Sequence, residues 1–204
     1  MEDIFKNINV EKRDRIINSA LEEFSKYRFD KASTNNIVKN ANISKGLLFH
    51  YFASKKELYN KLEEFVMQVA IEDISDNVDW DATDFFQRVK QIIIIKGKLT
   101  YRYPYIYEFV AQLIEEKEID KLQAKTQEQS AELIHKIYTH NINFSMFRND
   151  VDLEKMMEII RWTFEKFGEE LMKTQITTDK KFHYSEIEKE IEQYIEILKK
   201  AFYK

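Results

Sequence analysis

The chain has 204 residues, which suffices for one large or two small domains with a hydrophobic core. It contains no cysteine, three glycines and one proline, so disulfides, thiolate catalysis and cysteine-based zinc sites are excluded and long helices are favoured. The formal charge is −4, but residues 1–60 carry 11 Lys or Arg against 8 Asp or Glu, while the remaining 144 carry 21 against 28. This asymmetry indicates an anionic partner at the N-terminal end only.

The sequence lacks membrane and secretion signals. Its longest aliphatic run is the four isoleucines at 92–95, whereas a membrane-spanning helix needs about 20 apolar residues. The segment 1–6 is charged and has no apolar signal stretch. We therefore expect a cytoplasmic protein without a membrane partner.

Apolar residues spaced three and four apart predict helices along the whole chain. The first helix has Asn9 as its cap, and a Ser-x-x-Glu capping box at 54–57 opens a long helix that ends near Ser75. An acidic loop follows at 76–81. The predicted buried stripe of the first helix comprises Ile16, Ile17, Ala20, Leu21, Phe24 and Tyr27.

Two shorter helices are predicted within residues 33–52. Ser33 is placed to cap the first, and Ser44 to cap the second, with Ile43 and Leu48 as a hydrophobic staple. Asn42 falls where a tight turn favours a residue that tolerates left-handed geometry. Two short helices joined by such a turn predict a helix-turn-helix, whose second helix docks in the major groove of DNA.

Five further helices are predicted in the rest of the chain, with an interruption at 102–104 and a loop at 141–150. They cover 83–101, 105 to about 117, 120–140, 151–173 and 185–203. The expected buried residues of the last three are Leu122, Leu133, Ile134, Ile137 and Tyr138; Leu153, Met156, Met157, Ile160, Phe164, Phe167 and Leu171; and Ile187, Ile191, Tyr194, Leu198 and Ala201.

These elements predict an all-α protein with two domains. Residues 1–54 form a three-helix helix-turn-helix head, and a long helix over about 54–75 connects it to the body. Residues 76–204 form a helical bundle.

Four segments carry a resemblance to a known family. They are Phe24–Thr34, Ile37–Val38, Ala41–Phe52 and Ser54–Leu58, and together they resemble the DNA-binding domain of the TetR/AcrR family almost position by position. The match covers about a quarter of the chain. Behind it the sequence is similar to the family only in length and helical layout.

The resemblance implies an all-α homodimer that binds a palindromic operator, usually as a repressor released by a small ligand, with residues 76–204 as the ligand-binding and dimerisation domain. It implies that Thr34 and Lys55 contact phosphate and that the second helix reads DNA, while Leu48 and Phe52 match core positions. The expected DNA-binding residues are Thr34, Ser44, Lys45, Gly46, Leu47, His50, Tyr51 and Lys55.

Three residues depart from the family pattern. Arg28 stands where glycine is usual, which predicts mild strain in the turn after the first helix. Phe49 replaces a frequent tyrosine and removes a hydroxyl that often reaches phosphate. Leu47 replaces a small or polar residue, so it could contact a thymine methyl but cannot hydrogen-bond a base.

The body offers candidate residues for a ligand and a dimer interface. We expect an unknown, mainly apolar or aromatic organic effector to bind at Phe86, Tyr101, Tyr105, Phe109 and Trp162. We expect the partner copy to contact Ile160, Phe164, Ile191, Tyr194 and Leu198. Ordinary intrachain packing is the alternative for both sets.

The sequence gives no sign of catalysis, cofactor or metal. It has no Gly-rich phosphate loop and no nucleophile elbow. The histidines at 135, 140 and 183 stand apart from any HExxH motif or carboxylate cluster. Besides the ligand-responsive repressor, two functions remain open: a constitutive DNA-binding regulator, and a helical interaction protein that has lost specific DNA binding.

Overall fold

A computed structural model describes residues 8–115, 123–178 and 184–204 of the chain. These residues form α-helices, a short 3₁₀ turn at Phe144–Met146 and one isolated extended pairing between Phe147 and Tyr203. The predicted all-α fold is confirmed. In chain order the helices are α1 Val10–Lys26, α2 Thr34–Asn40, α3 Lys45–Tyr51, α4 Lys55–Asn77, α5 Phe85–Arg102, α6 Ile106–Glu115, α7 Gln123–Thr139, α8 Leu153–Thr178 and α9 Tyr184–Phe202.

Local side-chain chemistry accounts for most helix starts. Asn9 Oδ1 accepts from the N–H of Glu11 at 3.1 Å, and Ser44 Oγ accepts from that of Leu47 at 3.1 Å. The predicted capping box is present in modified form. Ser54 Oγ accepts from the N–H of Glu57 at 3.1 Å, while the Glu57 carboxylate accepts from the N–H of Ala53 at 2.7 Å.

The turn between α2 and α3 has the left-handed residue that the sequence predicts. Asn42 has φ of 52°, and among non-glycine residues in the described ranges only Asn42 and Asn141 have positive φ. Arg28 is therefore outside the left-handed region. The strain expected from an arginine at that position is absent, because the turn after α1 does not need a glycine conformation.

The first compact unit comprises residues 1–76 and 96–133. Its core joins α1–α4 to the end of α5 and to α6, and three rings lie at its centre. Phe24 of α1 meets Tyr59 of α4 at 4.9 Å and Phe109 of α6 at 6.3 Å between centroids, and Tyr59 meets Phe109 at 5.5 Å. The three helix-turn-helix helices thus share one hydrophobic core with α4 and α6.

The second compact unit comprises residues 77–95 and 134–204. Its core packs the start of α5 against α8 and α9, and the C-terminal Tyr203 lies against Phe86 at 5.1 Å and Phe147 at 4.9 Å. Arg88 is fully buried here and donates to the carbonyl oxygens of Trp80 and Ala82. Residues of α5 belong to both units. The domain boundaries expected from the sequence, 1–54 and 76–204, stay predictions.

Several residues expected to be buried are exposed. Tyr27 is 48% exposed, because α1 ends at Lys26 and the extended backbone at Tyr27 turns its ring away from the stripe. Ile134 is 55% exposed although Ile137, three residues later, is buried. Leu153, Tyr194 and Ala201 are exposed as well. Leu122 lies outside the described residues.

Candidate nucleic-acid interface

The pair α2–α3 has the geometry of a helix-turn-helix. The turn closes with backbone hydrogen bonds from the N–H of Asn42 to the Lys39 carbonyl at 3.2 Å and from that of Ile43 to the Val38 carbonyl at 3.0 Å. Leu48 and Phe52 are buried on the inner side of α3, which confirms their predicted core positions. The rest of α3 is thereby fixed with its other face outward.

The outward face of α3 carries most of the predicted DNA-binding residues. Ser44, Lys45, Gly46 and His50 are exposed, and Tyr51 is half-buried with its ring 5.6 Å from that of His50. Leu47 is half-buried as well, as is Thr34 at the start of α2. Contact of these residues with DNA stays a prediction, and their exposure leaves them available for it.

Gly46 is not required by the chain itself. A Cβ added there would meet no heavy atom within 4 Å, and the residue has no positive φ. Lys45 beside it donates from Nζ to Asn35 Oδ1 of α2 at 3.0 Å. The fold would therefore accept a larger residue at this position, and the missing Cβ leaves room for the close approach of a DNA backbone.

Lys55, expected to contact phosphate, has partners inside the protein. Its ammonium donates to the carbonyl oxygens of Phe29 at 2.5 Å and Ala32 at 2.9 Å, and it lies 4.6 Å from the centroid of the Phe29 ring. The side chain therefore ties the start of α4 to the loop that precedes α2. A phosphate contact stays a prediction, and it would have to be made by an ammonium that already holds this loop.

Glu23 is a positioning residue that the sequence analysis missed. Its side chain is buried in the head, where the carboxylate accepts from the backbone N–H of Ser33 at 2.8 Å and from Asn36 Nδ2 at 3.2 Å. Ser33 itself makes no side-chain cap bond. Ser33 thus occupies the predicted cap position of α2, but the predicted side-chain cap bond is absent. The one available signal was a charged residue next to the apolar stripe of α1.

The five predicted ligand-binding residues have different surroundings. Phe109 is fully buried in the core of the first unit, where Tyr105 is half-buried and Tyr101 is 58% exposed. Phe86 is fully buried in the core of the second unit, and Trp162 on α8 is 54% exposed. The role of these residues in ligand binding stays a prediction.

The predicted dimer residues lie mostly in the core of their own chain. Ile160, Phe164, Ile191 and Leu198 are buried within the second unit, so their side chains offer little surface to a partner. Tyr194 is the one predicted interface residue with an exposed side chain, at 39%. Periodicity located the apolar stripes of α8 and α9 but did not show which neighbour covers them.

Two other kinds of site, a membrane-spanning helix and a metal cluster, are absent from the described ranges. No described helix is long and apolar enough to cross a membrane. The same residues contain no group of three or more His, Asp or Glu side chains that could hold a metal ion.

Comparison with protein families identifies the helix-turn-helix segment. Residues 16–62 match the model of the bacterial regulatory proteins of the tetR family. This segment, about a quarter of the chain, is similar to the DNA-binding domain of that family. Proteins of that family are DNA-binding transcription regulators rather than enzymes. The match runs from Ile16 in α1 to Leu62 in α4 and includes α2 and α3, where the surface just described is located. No curated protein matches the chain in sequence.

Solved structures of similar fold cover nearly the whole chain. A TetR-family transcriptional regulator from Chloroflexus aurantiacus is 21% identical with a TM-score of 0.54, over 98% of this chain and 97% of that chain. A second, from Marinobacter aquaeolei, is 14% identical with a TM-score of 0.61, over 95% and 96%. The ketosteroid transcriptional regulator of Mycobacterium tuberculosis is 17% identical with a TM-score of 0.58, over 97% of both chains. At these identities the likeness concerns the fold.

Proposed function

We propose that this protein is a TetR-type regulator, namely a cytoplasmic, homodimeric repressor that leaves a palindromic operator when a small organic ligand binds its body. The outward face of α3 carries the proposal. It presents Lys45 and His50 to solvent around a glycine that the fold does not require. Lysine and helix N–H groups contact phosphate without reading sequence, whereas Leu47 and His50 are placed to meet base edges in the major groove.

Exposed apolar side chains of the second unit support the homodimer. Ile159 and Trp162 of α8 are 43% and 54% exposed, and Tyr194 and Ile197 of α9 are 39% and 63% exposed. Large exposed apolar residues on two long helices are typical of a surface that a second copy covers. A two-fold dimer places its two α3 helices in successive major grooves, about 34–36 Å apart or a multiple of that.

The ligand is proposed to be apolar or aromatic. A groove of about 450 Å³ in the second unit is lined by the apolar Phe167 and Leu171 and by the charged Lys166 and Glu190, among others. An apolar surface with a few polar groups suits an organic molecule better than an ion. The dimer can hold its two DNA-binding heads at different distances from each other. For induction, the ligand must bind one of these conformations more tightly than the other, because a ligand with equal affinity for both does not change their populations.

The constitutive regulator is the second candidate, and one observation favours it. Phe86 and Phe109, both expected to line a ligand pocket, are fully buried by their own chain. A body without a ligand would bind DNA in the same way but would not be released.

Two measurements test the proposal. Gel-shift titrations with DNA that flanks the protein's own gene should give saturable binding that excess random DNA does not compete away. Titration with hydrophobic compounds should then change tryptophan fluorescence and release the DNA together. Specific binding without any releasing compound would favour the constitutive regulator, and no specific binding would favour an interaction protein.

A further inference from the structure

A cluster of polar side chains joins the corner between α5 and α6 to α1. Arg102, the last residue of α5, donates from Nε to Asp14 Oδ2 at 2.9 Å and from Nη2 to Asp14 Oδ1 at 3.2 Å. The hydroxyl of Tyr103 donates to Asp14 Oδ1 at 3.0 Å. One turn along α1, Asn18 Nδ2 donates to the Arg102 carbonyl oxygen at 2.9 Å. We call these four residues the corner latch.

The latch combines an exposed part with a rigid part. The Arg102 side chain is 43% exposed, whereas Tyr103 is buried, with its ring 5.1 Å from that of Phe65 on α4. Asp14 therefore joins three elements, namely α1, the α5–α6 corner and, through Tyr103, α4. A bidentate Arg–carboxylate pair fixes direction as well as distance.

Electrostatics keep Asp14 ionised. Partial burial alone would raise the pKa of Asp14, but the hydrogen bonds from Arg102 and Tyr103 and the guanidinium charge outweigh it and hold that pKa below its ordinary value. The hydrogen bond with Asp14 in turn raises the pKa of Arg102. The latch is thus fully charged at neutral pH.

The latch is not needed to hold α1 and α6 together. The Phe24–Phe109 and Tyr59–Phe109 contacts already join α1, α4 and α6 in one core, and a half-exposed ion pair contributes little to folding free energy. Those contacts are apolar, and the hydrogen-bonded pair adds to them a restraint of fixed direction.

We propose that Asp14 and Arg102 are positioning residues for DNA binding, which set the angle of the DNA-reading helices relative to the α5–α6 corner. This inference rests on the proposed function, namely operator binding by a two-headed dimer. A dimer reaches two half-sites at once only if both heads are held at the right angle. An isolated half-site imposes no such condition, so the latch should matter for the full site alone.

The test compares latch variants on two DNA probes. The full probe is a duplex that the unaltered protein selects from a random-sequence library, and the half-site probe is one half of it with the other half scrambled. Asp14→Asn and Arg102→Gln should each weaken binding to the full probe about tenfold and change half-site binding less than about twofold. The double variant should be no weaker than the single ones, because both remove the same restraint.

The two substitutions change net charge in opposite directions. Simple attraction to DNA therefore predicts that Asp14→Asn strengthens binding and Arg102→Gln weakens it, whereas the latch predicts a loss in both. Arg148→Gln is the matched control, because Arg148 makes a bidentate pair with Asp150 in the second unit. Tyr103→Phe removes only the hydroxyl and should give a smaller loss of full-probe binding, even if an Asp14 variant folds poorly.

Each outcome decides the proposal. A loss confined to the full probe in both charge variants supports it. Unchanged full-probe binding in folded Asp14→Asn and Arg102→Gln overturns it, as does an equal loss on both probes. Failure of the unaltered protein to select any sequence would instead count against the proposed function.

Discussion

The carboxylate of Glu23, buried on α1, accepts a hydrogen bond of 2.8 Å from the backbone N–H of Ser33, at the start of α2. The two residues are ten apart in sequence: Glu23 lies within α1, and Ser33 is the cap residue that precedes α2. Asn36 adds a second donor from the next turn. This buried acceptor fixes where α2 begins, and α2 in turn supports α3.

Glu23→Ala should therefore destabilise the head. It leaves the Ser33 N–H without its acceptor, and an unsatisfied buried donor costs about 1–3 kcal/mol. Glu22→Ala is the matched control, because Glu22 forms an i,i+4 pair with the exposed Lys26, which is worth about 0.3–0.5 kcal/mol. Urea unfolding of the two variants measures the difference, and equal losses would show that the Glu23 bond does not order α2.

Gly46→Ala should change stability and DNA binding in opposite directions. A Cβ at this position meets open space, and alanine is favoured over glycine within a helix by up to about 1 kcal/mol. If the DNA backbone approaches Gly46 closely, the added methyl weakens DNA binding. Thermal unfolding and a gel-shift titration of the same preparation check both signs. A variant that binds DNA as the unaltered protein does would remove the close-approach explanation.

Lys55→Ala should weaken binding to all DNA sequences alike. One lost phosphate contact lowers the slope of log affinity against log salt by about one unit. The variant should also lose stability, because the ammonium holds the Phe29 and Ala32 carbonyls. Lys45→Ala is the comparison, since Lys45 is exposed and its ammonium donates to a side chain, that of Asn35, and not to a loop backbone. A Lys55 variant with lower stability but the same salt slope would show that this lysine holds the loop without meeting phosphate.

Asp84 should contribute to the acid sensitivity of the second unit. Partial burial would raise its pKa, but the Lys199 hydrogen bond and charge, the Gln87 N–H and the Tyr203 hydroxyl lower it overall. A carboxyl with a lowered folded-state pKa stabilises the fold above its unfolded pKa of about 3.9, and this stability is lost as pH falls through the folded-state value. Asp84→Asn should thus lose less stability than the unaltered protein between pH 7 and pH 3. Urea midpoints at the two pH values measure this, with the exposed Asp81→Asn as control.

The sequence predicted those parts of the structure that depend on near neighbours. Asn9, Ser44 and Ser54 bond to N–H groups two or three residues away, and the turn at Asn42 needs only one residue of special geometry. Caps and turns of this kind depend only on residues that are close in the sequence. Family resemblance and local chemistry therefore agreed on the helix-turn-helix.

Long-range relationships could not be predicted in the same way. Glu23 of α1 accepts a hydrogen bond from Ser33, beyond the end of that helix, and Asp14 accepts one from Arg102, which is 88 positions away in the sequence. Periodicity likewise put Ile160 and Ile191 on apolar stripes, but both stripes face their own chain, so the exposed Ile159 and Ile197 were missed as interface candidates. Sequence spacing gives the face of a helix and not the neighbour that covers it.

Selection of duplexes from a random library tests most directly the claim that α3 reads DNA. The unaltered protein should enrich a two-fold symmetric sequence with half-sites about one helical turn, or a multiple of it, apart. His50→Ala should select the same spacing but with altered preference at one position of each half-site, corresponding to about 1–3 kcal/mol of discrimination. A library that shows no enriched sequence, or an identical sequence preference for the unaltered protein and for variants at both Leu47 and His50, would contradict it.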